Sequence, residues 1–376
     1  MINYGKQTID KSDINSVIKV LKSDFLTTGP EINKFEKQLN LKFGSKYSTV
    51  VNSGTSALFI LGKALNWKSG DTIITSPLTF VATANCIINN DARVQFVDID
   101  RETFTIDPNK LEEKLKKGKR VKAVIAMDYA GHPCDWKSLS YLSEKYKFKL
   151  INDGCHSLGS KYFNDEKYAA KYADFVTHSY HPVKAITTGE GGSILCNSKS
   201  YDKKIKLIRN HSLYLTKKDG PWHYEVKEPG NNFRLTDFQC ALGISQLKKI
   251  NFFIKKRREI ANVYYKYLKH DERFTLPIER KNIYHSYHLF PLQINFEKIK
   301  LNKKGIFNKF KKNNINLQVH YKPLHLQPFF RKFHNNRKDQ LIVSESLYKK
   351  EISLPIFPSL KKIDLFKVIK QLLSIK

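Results

Sequence analysis

The sequence predicts an α/β fold: a large domain over residues 1–249 built around a parallel-type sheet, then a smaller α+β domain over 250–376. Three observations predict it. From residue 48 onward, short β-branched runs alternate with helical stretches, the pattern of βαβ units. Several of those runs are apolar on both faces, as in a sheet covered on each side by helices. After about residue 235 the alternation gives way to a long helical pattern, and a chain of 376 residues is long enough for a second core.

The expected strands are "STVVNS" (48–53), "DTIITSPL" (71–78), "VQFVDID" (94–100), "VKAVIAMDYA" (121–130), "FKLINDG" (148–154), "DFVTHSY" (174–180) and "GSILCN" (192–197). Between them "TSALFILGKALN" (55–66), "FVATANCIINN" (80–90), "DPNKLEEKLKKG" (107–118) and "DWKSLSYLSEKYK" (135–147) have helical periodicity. Residues 236–269 read as one long helix, and "SYHLFPLQI" (286–294) and "LQVHYKPLH" (317–325) as strands of the second domain. There is no internal repeat and no low-complexity linker.

Composition bounds the function. No apolar run of 18 residues occurs, so no membrane span is expected, and "MINYGKQTIDKSDIN" has no signal-peptide core; a cytoplasmic location is expected. The five cysteines are widely spaced without a CxxC pair, which indicates neither a zinc site nor a disulfide framework. The formal net charge of +31 raises a nucleic-acid-binding alternative. The lysines are scattered, however, as in "KLNKKGIFNKFKKNN" (300–314), and read as a solvated surface that also attracts anionic small molecules.

In an open α/β sheet, ligands bind at the carboxyl ends of the strands. After the first strand, "NSGTSAL" places Thr55 and Ser56 at a helix start, where N–H groups and hydroxyls hold a phosphate; read singly, the motif is weak and a plain N-cap accounts for it. Asp153 ends an apolar strand, where a carboxylate needs a positive partner such as a protonated ring nitrogen; a helix cap is the other reading. His156 either faces the same ligand or packs. After Ser179, Pro182 sets a bend that returns Lys184 to the strand end among small residues, where a lysine has a lowered pKa and acts as a free amine; the other reading is a snorkelling surface lysine. Phe80, in "SPLTF", offers a ring to stack on a flat ligand. A phosphate cradle, a carboxylate for a ring nitrogen and a Schiff-base lysine are together what pyridoxal 5′-phosphate (PLP) requires of a protein.

At these residues the chain resembles the sugar aminotransferases of the DegT/DnrJ/EryC1/StrS family. "SDFLTTGPEINKFE" (23–36), "NSGTSAL" (52–58), "SPLTFVATAN" (76–85), "DGCHSLGS" (153–160), "SYHPVKAITTGEGG" (179–192), "NNFRLTDFQCALGISQLKK" (231–249) and "VHYKPLHLQPFF" (319–330) occur in that family's order. The resemblance implies the fold-type I aminotransferase architecture, with a mostly parallel seven-stranded sheet in the large domain, and a homodimer with a shared active site. It implies that Lys184 carries the cofactor, Asp153 pairs with its ring nitrogen and His156 lies beside the ring. It further implies that Thr55, Ser56 and Ser179 hold the phosphate, that Phe80 stacks, and that Asn232 reaches the phosphate of the neighbouring subunit. "YGKQTIDKSDI" (4–14), "GPWHYE" (220–225) and the "HPVK" and "VHYKP" segments resemble the family's pseudaminic-acid branch. That branch aminates C4 of a UDP-linked 4-keto-6-deoxy-N-acetyl-hexosamine with L-glutamate as donor. Other nucleotide-sugar aminotransferases, acting on another ring carbon or on a dTDP sugar, remain open on these residues. In the related dehydratase branch the lysine is replaced by histidine. The departures at Asn152, Gly154, Cys155 and Gly189 bear on the choice of sugar.

Overall fold

A computed structural model of the chain describes residues 1–118, 120–216, 218–333 and 341–376. Two helices that the periodicity did not announce come first. α1 (Lys11–Leu21) begins at a reciprocal cap in which the Asp10 carboxylate accepts the Asp13 N–H and the Asp13 carboxylate accepts the Asp10 N–H. α2 (Pro30–Phe43) starts with proline and ends at Gly44, whose φ of 75° is the left-handed conformation favoured there by glycine.

The central sheet has seven strands. β1 (Tyr47–Val51), β2 (Thr72–Thr75), β3 (Arg93–Phe96), β4 (Ala123–Met127) and β5 (Lys149–Asp153) come before a short β6 (Lys161–Tyr162) that lies outside this sheet, and β7 (Phe175–Ser179) and β8 (Gly192–Cys196) complete it. Their order is β1-β8-β7-β5-β4-β2-β3. Only β8 runs against its neighbours, antiparallel to both β1 and β7. The seven strands expected for this sheet are therefore all present, but 71–78, 94–100, 121–130 and 174–180 stop short at Thr75, Phe96, Met127 and Ser179.

α3 (Gly54–Ala64), α4 (Val81–Ile88), α5 (Pro108–Lys117), α6 (Trp136–Tyr146), α7 (Tyr168–Tyr172) and α8 (Lys199–Arg209) surround the sheet. Apolar residues on its two sides form separate buried clusters. One holds Leu61, Ile73, Ile125 and Ile194 with α3 and α4; the other holds Ile74, Val124, Leu139 and Leu150 with α5 and α6. A small hairpin of β9 (Leu213–Leu215) and β10 (Tyr224–Val226) stands off the body, with Leu215, Trp222 and Tyr224 exposed.

The long helix expected over 236–269 is two helices, α9 (Asp237–Lys248) and α10 (Ile250–Leu268). No proline or glycine marks the break, so periodicity runs through it. Lys249 marks it instead, with an ion pair to Asp10 and Asp13 at 2.9 and 2.6 Å that ties the junction to α1. α9 opens with Asp237, whose buried carboxylate accepts the Gly29 and Glu31 N–H groups and so caps α2. α10 starts among Phe35 and Leu195 and ends among Phe290 and Ile352, bridging the cores of the sheet and of the C-terminal part. There β11 (Phe274–Thr275), β13 (Phe290–Ile294) and β14 (Glu351–Leu354) form a three-stranded antiparallel sheet under α10, α11 (Lys303–Lys312) and α13 (Lys362–Leu373). α12 (Ile342–Lys350) leads into β14, and β12 (Ile283–Tyr284) pairs back to β6.

The strand expected over 317–325 does not form. The segment makes a single bridge, Gln318 to Ser353. Side chains replace a neighbouring strand: the Glu351 carboxylate accepts the His320 N–H at 3.1 Å, and the Tyr129 hydroxyl donates to the His320 carbonyl.

Candidate active site

The carboxyl ends of β1, β2, β4, β5 and β7 meet the 317–321 segment around a cleft of about 460 Å³, a size that suits a small ligand. Thr55, Phe80, Asp153, Ser179 and Lys184 all line it.

Beyond β1 the backbone turns directly into α3. Ser53 caps the helix, its hydroxyl oxygen accepting the Ser56 N–H at 3.0 Å. Among the described residues, nothing accepts from the N–H groups of Gly54 and Thr55, which leaves two donors at the positive end of a helix on the cleft wall. Ser56 stands apart from them: its hydroxyl donates to Asn52 Oδ1 at 2.6 Å and its side chain is buried, while Thr55 and Ser179 line the cleft. The close approach depends on glycine at two places. A Cβ on Gly54 would lie 2.9 Å from the Ser179 Cβ, and one on Gly192 would lie 2.6 Å from the Ser53 carbonyl.

Asp153 is 2% exposed. Its carboxylate accepts the Thr83 hydroxyl at 2.7 Å and the Cys155 N–H at 3.3 Å, partial compensation for burying a charge. Lys184 sits beyond a tight turn in which its N–H donates to the His181 carbonyl at 2.9 Å, the bend expected at Pro182. Burial pulls its amine below the ordinary lysine value, and Arg257 pulls the same way, against the Asp153 and Cys155 side chains. Arg257 is itself fully buried and, among the described residues, has no carboxylate partner; it donates to the carbonyls of Tyr287, His288 and Ile356.

His156 lies behind the cleft wall. Its Nδ1 accepts the Ala130 N–H at 3.3 Å, so the ring proton is on Nε2, 3.1 Å from the Tyr321 hydroxyl. Burial, with Lys184 nearby, holds it neutral by moving its pKa well below the ordinary histidine value. The Tyr321 ring in turn stands 5.9 Å from the Phe80 ring. Asn232 is not brought to this cleft. It is exposed and bridges to Asn210. Sequence reasoning missed Thr83, Tyr4, Gln318, His320 and Tyr321 as site residues. Thr83 carried a faint signal, a hydroxyl on a mostly apolar helix one turn after Phe80. The "VHYKP" segment reads as a strand and as a family motif, and neither reading singles out Gln318, His320 or Tyr321.

The cleft can thus hold an anion at the start of α3, a protonated ring nitrogen against Asp153 and a carbonyl carbon within reach of an uncharged lysine amine. The five cysteines are buried and unpaired, and among the described residues no helix is long and apolar enough to cross a membrane.

Comparison with known proteins agrees with this arrangement. Residues 7–373 match the model of the DegT/DnrJ/EryC1/StrS aminotransferase family. A Campylobacter jejuni protein named UDP-4-amino-4,6-dideoxy-N-acetyl-beta-L-altrosamine transaminase is 38% identical over 356 residues, 94% of this chain and 92% of its own. The solved structure of Helicobacter pylori PseC, described as an aminotransferase involved in the biosynthesis of pseudoaminic acid, superposes with a TM-score of 0.92 at 34% identity, covering 99% of this chain and 98% of that one. The PLP form of a Streptococcus pneumoniae protein described as a putative sugar aminotransferase, Spr1654, gives 0.88 at 25% identity, covering 98% and 96%.

Proposed function

Because the chain belongs to the DegT/DnrJ/EryC1/StrS aminotransferase family, we propose that this sugar aminotransferase moves the amino group of L-glutamate to C4 of a UDP-linked 4-keto-6-deoxy-N-acetyl-hexosamine, in the pathway to pseudaminic acid. The observation that carries the reading is the convergence of Lys184, Asp153 and the free amides of α3 on one cleft. The name of the Campylobacter relative supports the choice of sugar.

The residues fit PLP. Lys184 would carry it, Asp153 would face its ring nitrogen, Thr55, Ser179 and the α3 amides would take its phosphate, and Phe80 would cover the ring. When bound, PLP supplies an electron sink for the pair released as a C–H bond breaks. The rest is the work of the protein. Asp153, held by Thr83, keeps a negative charge at the floor of the cleft and so favours a protonated nitrogen there. Lys184, with its amine pKa lowered by burial, takes a proton at Nζ from the Cα of the amino donor and returns one at C4 of the sugar. The deaminated donor would leave before the sugar binds, with the amino group retained in the cleft between the two half-reactions, which gives ping-pong kinetics. Gln318, Val319, His320 and Tyr321 form part of the cleft wall around the ligand.

The active unit in this proposal is a homodimer. The exposed position of Asn232, off its own cleft, suits a residue that serves the partner's phosphate. A product assay with L-glutamate and a panel of UDP- and dTDP-linked 4-keto sugars tests the reading. Amination of the UDP-linked N-acetyl sugar alone supports it, and preference for a dTDP sugar would replace it with the neighbouring activity.

A further inference from the structure

Behind the cleft wall, Glu351 and Ser353 of β14 both reach His320. The Ser353 hydroxyl donates to Glu351 Oε1 at 2.5 Å, while Glu351 Oε2 accepts the His320 backbone N–H at 3.1 Å. The Ser353 backbone N–H donates to the Gln318 carbonyl at 2.7 Å, fixing the segment against the strand. His320 Nδ1 then lies 2.8 Å from Ser353 Oγ.

The direction of this chain follows from counting protons. A carboxylate only accepts, so the single Ser353 hydroxyl proton points at Glu351. Ser353 Oγ can then only accept from the ring, and His320 Nδ1 must carry a proton. A neutral imidazole carries one, which leaves Nε2 with a bare lone pair. His320 lines the cleft alongside Lys184, and no described residue donates to its Nε2. We propose that Glu351 and Ser353 are positioning residues that hold His320 in the Nδ1–H tautomer, so that Nε2 accepts a hydrogen bond from a hydroxyl or amide N–H of the sugar in the cleft. The identity of the donor rests on the sugar-aminotransferase reading above; the tautomer does not.

Two electrostatic facts set the conditions under which this chain holds. Burial, helped by Lys184, pulls the His320 pKa down to about 3, so the ring stays neutral during catalysis. Burial pushes the Glu351 carboxyl up to about 7, against the pull of Lys303 on α11; Tyr129 and Tyr321 also face it. The test is therefore run above that value, where Glu351 is a carboxylate.

Glu351→Gln is the decisive variant. The backbone N–H of His320 needs an acceptor, so the amide oxygen takes that place and the amide NH₂ turns to Ser353 Oγ. Ser353 must then donate to His320 Nδ1, and the ring proton moves to Nε2. Nitrogen-15 NMR of the histidine rings in the full chain reads this directly, with His320 identified by the signal lost in His320→Asn. The wild type is expected to show a bare Nε2, Glu351→Gln a protonated one, and Ser353→Ala loss of the preference. Glu351→Gln should also weaken binding of the UDP-linked 4-amino sugar about tenfold, a donor now facing a donor, with UDP alone unaffected. A protonated Nε2 in the wild type, or one tautomer shared by all three proteins, overturns the lock; should Glu351→Gln not fold, Ser353→Ala decides. A flipped tautomer with sugar affinity unchanged overturns the contact to the sugar. Failure of the wild type to bind the sugar at all would instead refute the functional reading.

Discussion

Thr83→Val removes one oxygen next to the most deeply placed charge of the site. The Thr83 hydroxyl donates to Asp153 Oδ2 at 2.7 Å, and the other contact to that carboxylate is the Cys155 N–H at a longer 3.3 Å. A hydrogen bond to a charged acceptor contributes about 1.5–3 kcal/mol, and Asp153, at 2% exposed, cannot recruit bulk water in its place. The Thr79 hydroxyl, 2.9 Å from that of Thr83, loses a partner as well but retains Met127 Sδ at 3.2 Å, so its loss is small. The cofactor-free variant should therefore be less stable by about 1.5–3 kcal/mol. Urea unfolding followed by the fluorescence of Trp67, Trp136 and Trp222 measures it. The deficit should shrink when PLP saturates the site, because a protonated ring nitrogen supplies the missing donor. Thr83→Ser, which keeps the hydroxyl, should recover most of the loss. A Thr83→Val protein as stable as wild type, or a Thr83→Ser protein as damaged as Thr83→Val, would refute the assignment of Thr83 as the support of Asp153.

Lys184→Ala should abolish turnover and the visible absorption band of the bound cofactor, with unchanged far-ultraviolet circular dichroism; retained activity with glutamate would remove Lys184 from its role. Mixing inactive Lys184→Ala with an inactive Asn232→Ala protein should restore part of the activity, since each heterodimer has one site with both residues intact; no rescue in verified heterodimers would contradict a shared site. Nucleic-acid retention by the +31 chain should fall steeply with salt, by roughly 10³ between 50 and 200 mM for several phosphate contacts, while catalysis persists; a salt-resistant, sequence-specific complex would revive a nucleic-acid function.

The large domain was legible because its signal is local. Buried parallel strands are continuous β-branched runs, and the helices between them are amphipathic, so all seven strands of the sheet were found with errors only at their ends. The gathering of Lys184, Asp153, Ser179, Thr55 and Phe80 at one cleft was legible because each ends a strand or lies within five residues of a strand end. What failed was long-range. The break at Lys249 is set by ion pairs to Asp10 and Asp13, more than 230 residues away in sequence. The 317–325 segment has the alternation of a strand, yet its backbone partners are the side chains of Glu351 and Tyr129. The Ser56 hydroxyl donates to Asn52, four residues earlier, a contact that the strand-to-helix pattern does not show.

In the proposed reaction this cleft moves an amine from glutamate to the C4 carbonyl of a UDP-linked sugar. Nitrogen-15 L-glutamate supplied with the UDP-linked 4-keto-6-deoxy-N-acetyl-hexosamine and PLP tests it, with the label located in the product by NMR. Label bonded to C4 of the sugar is expected, formed with wild type and absent with Lys184→Ala. Label at another carbon, or none in the sugar while glutamate is consumed, would contradict it.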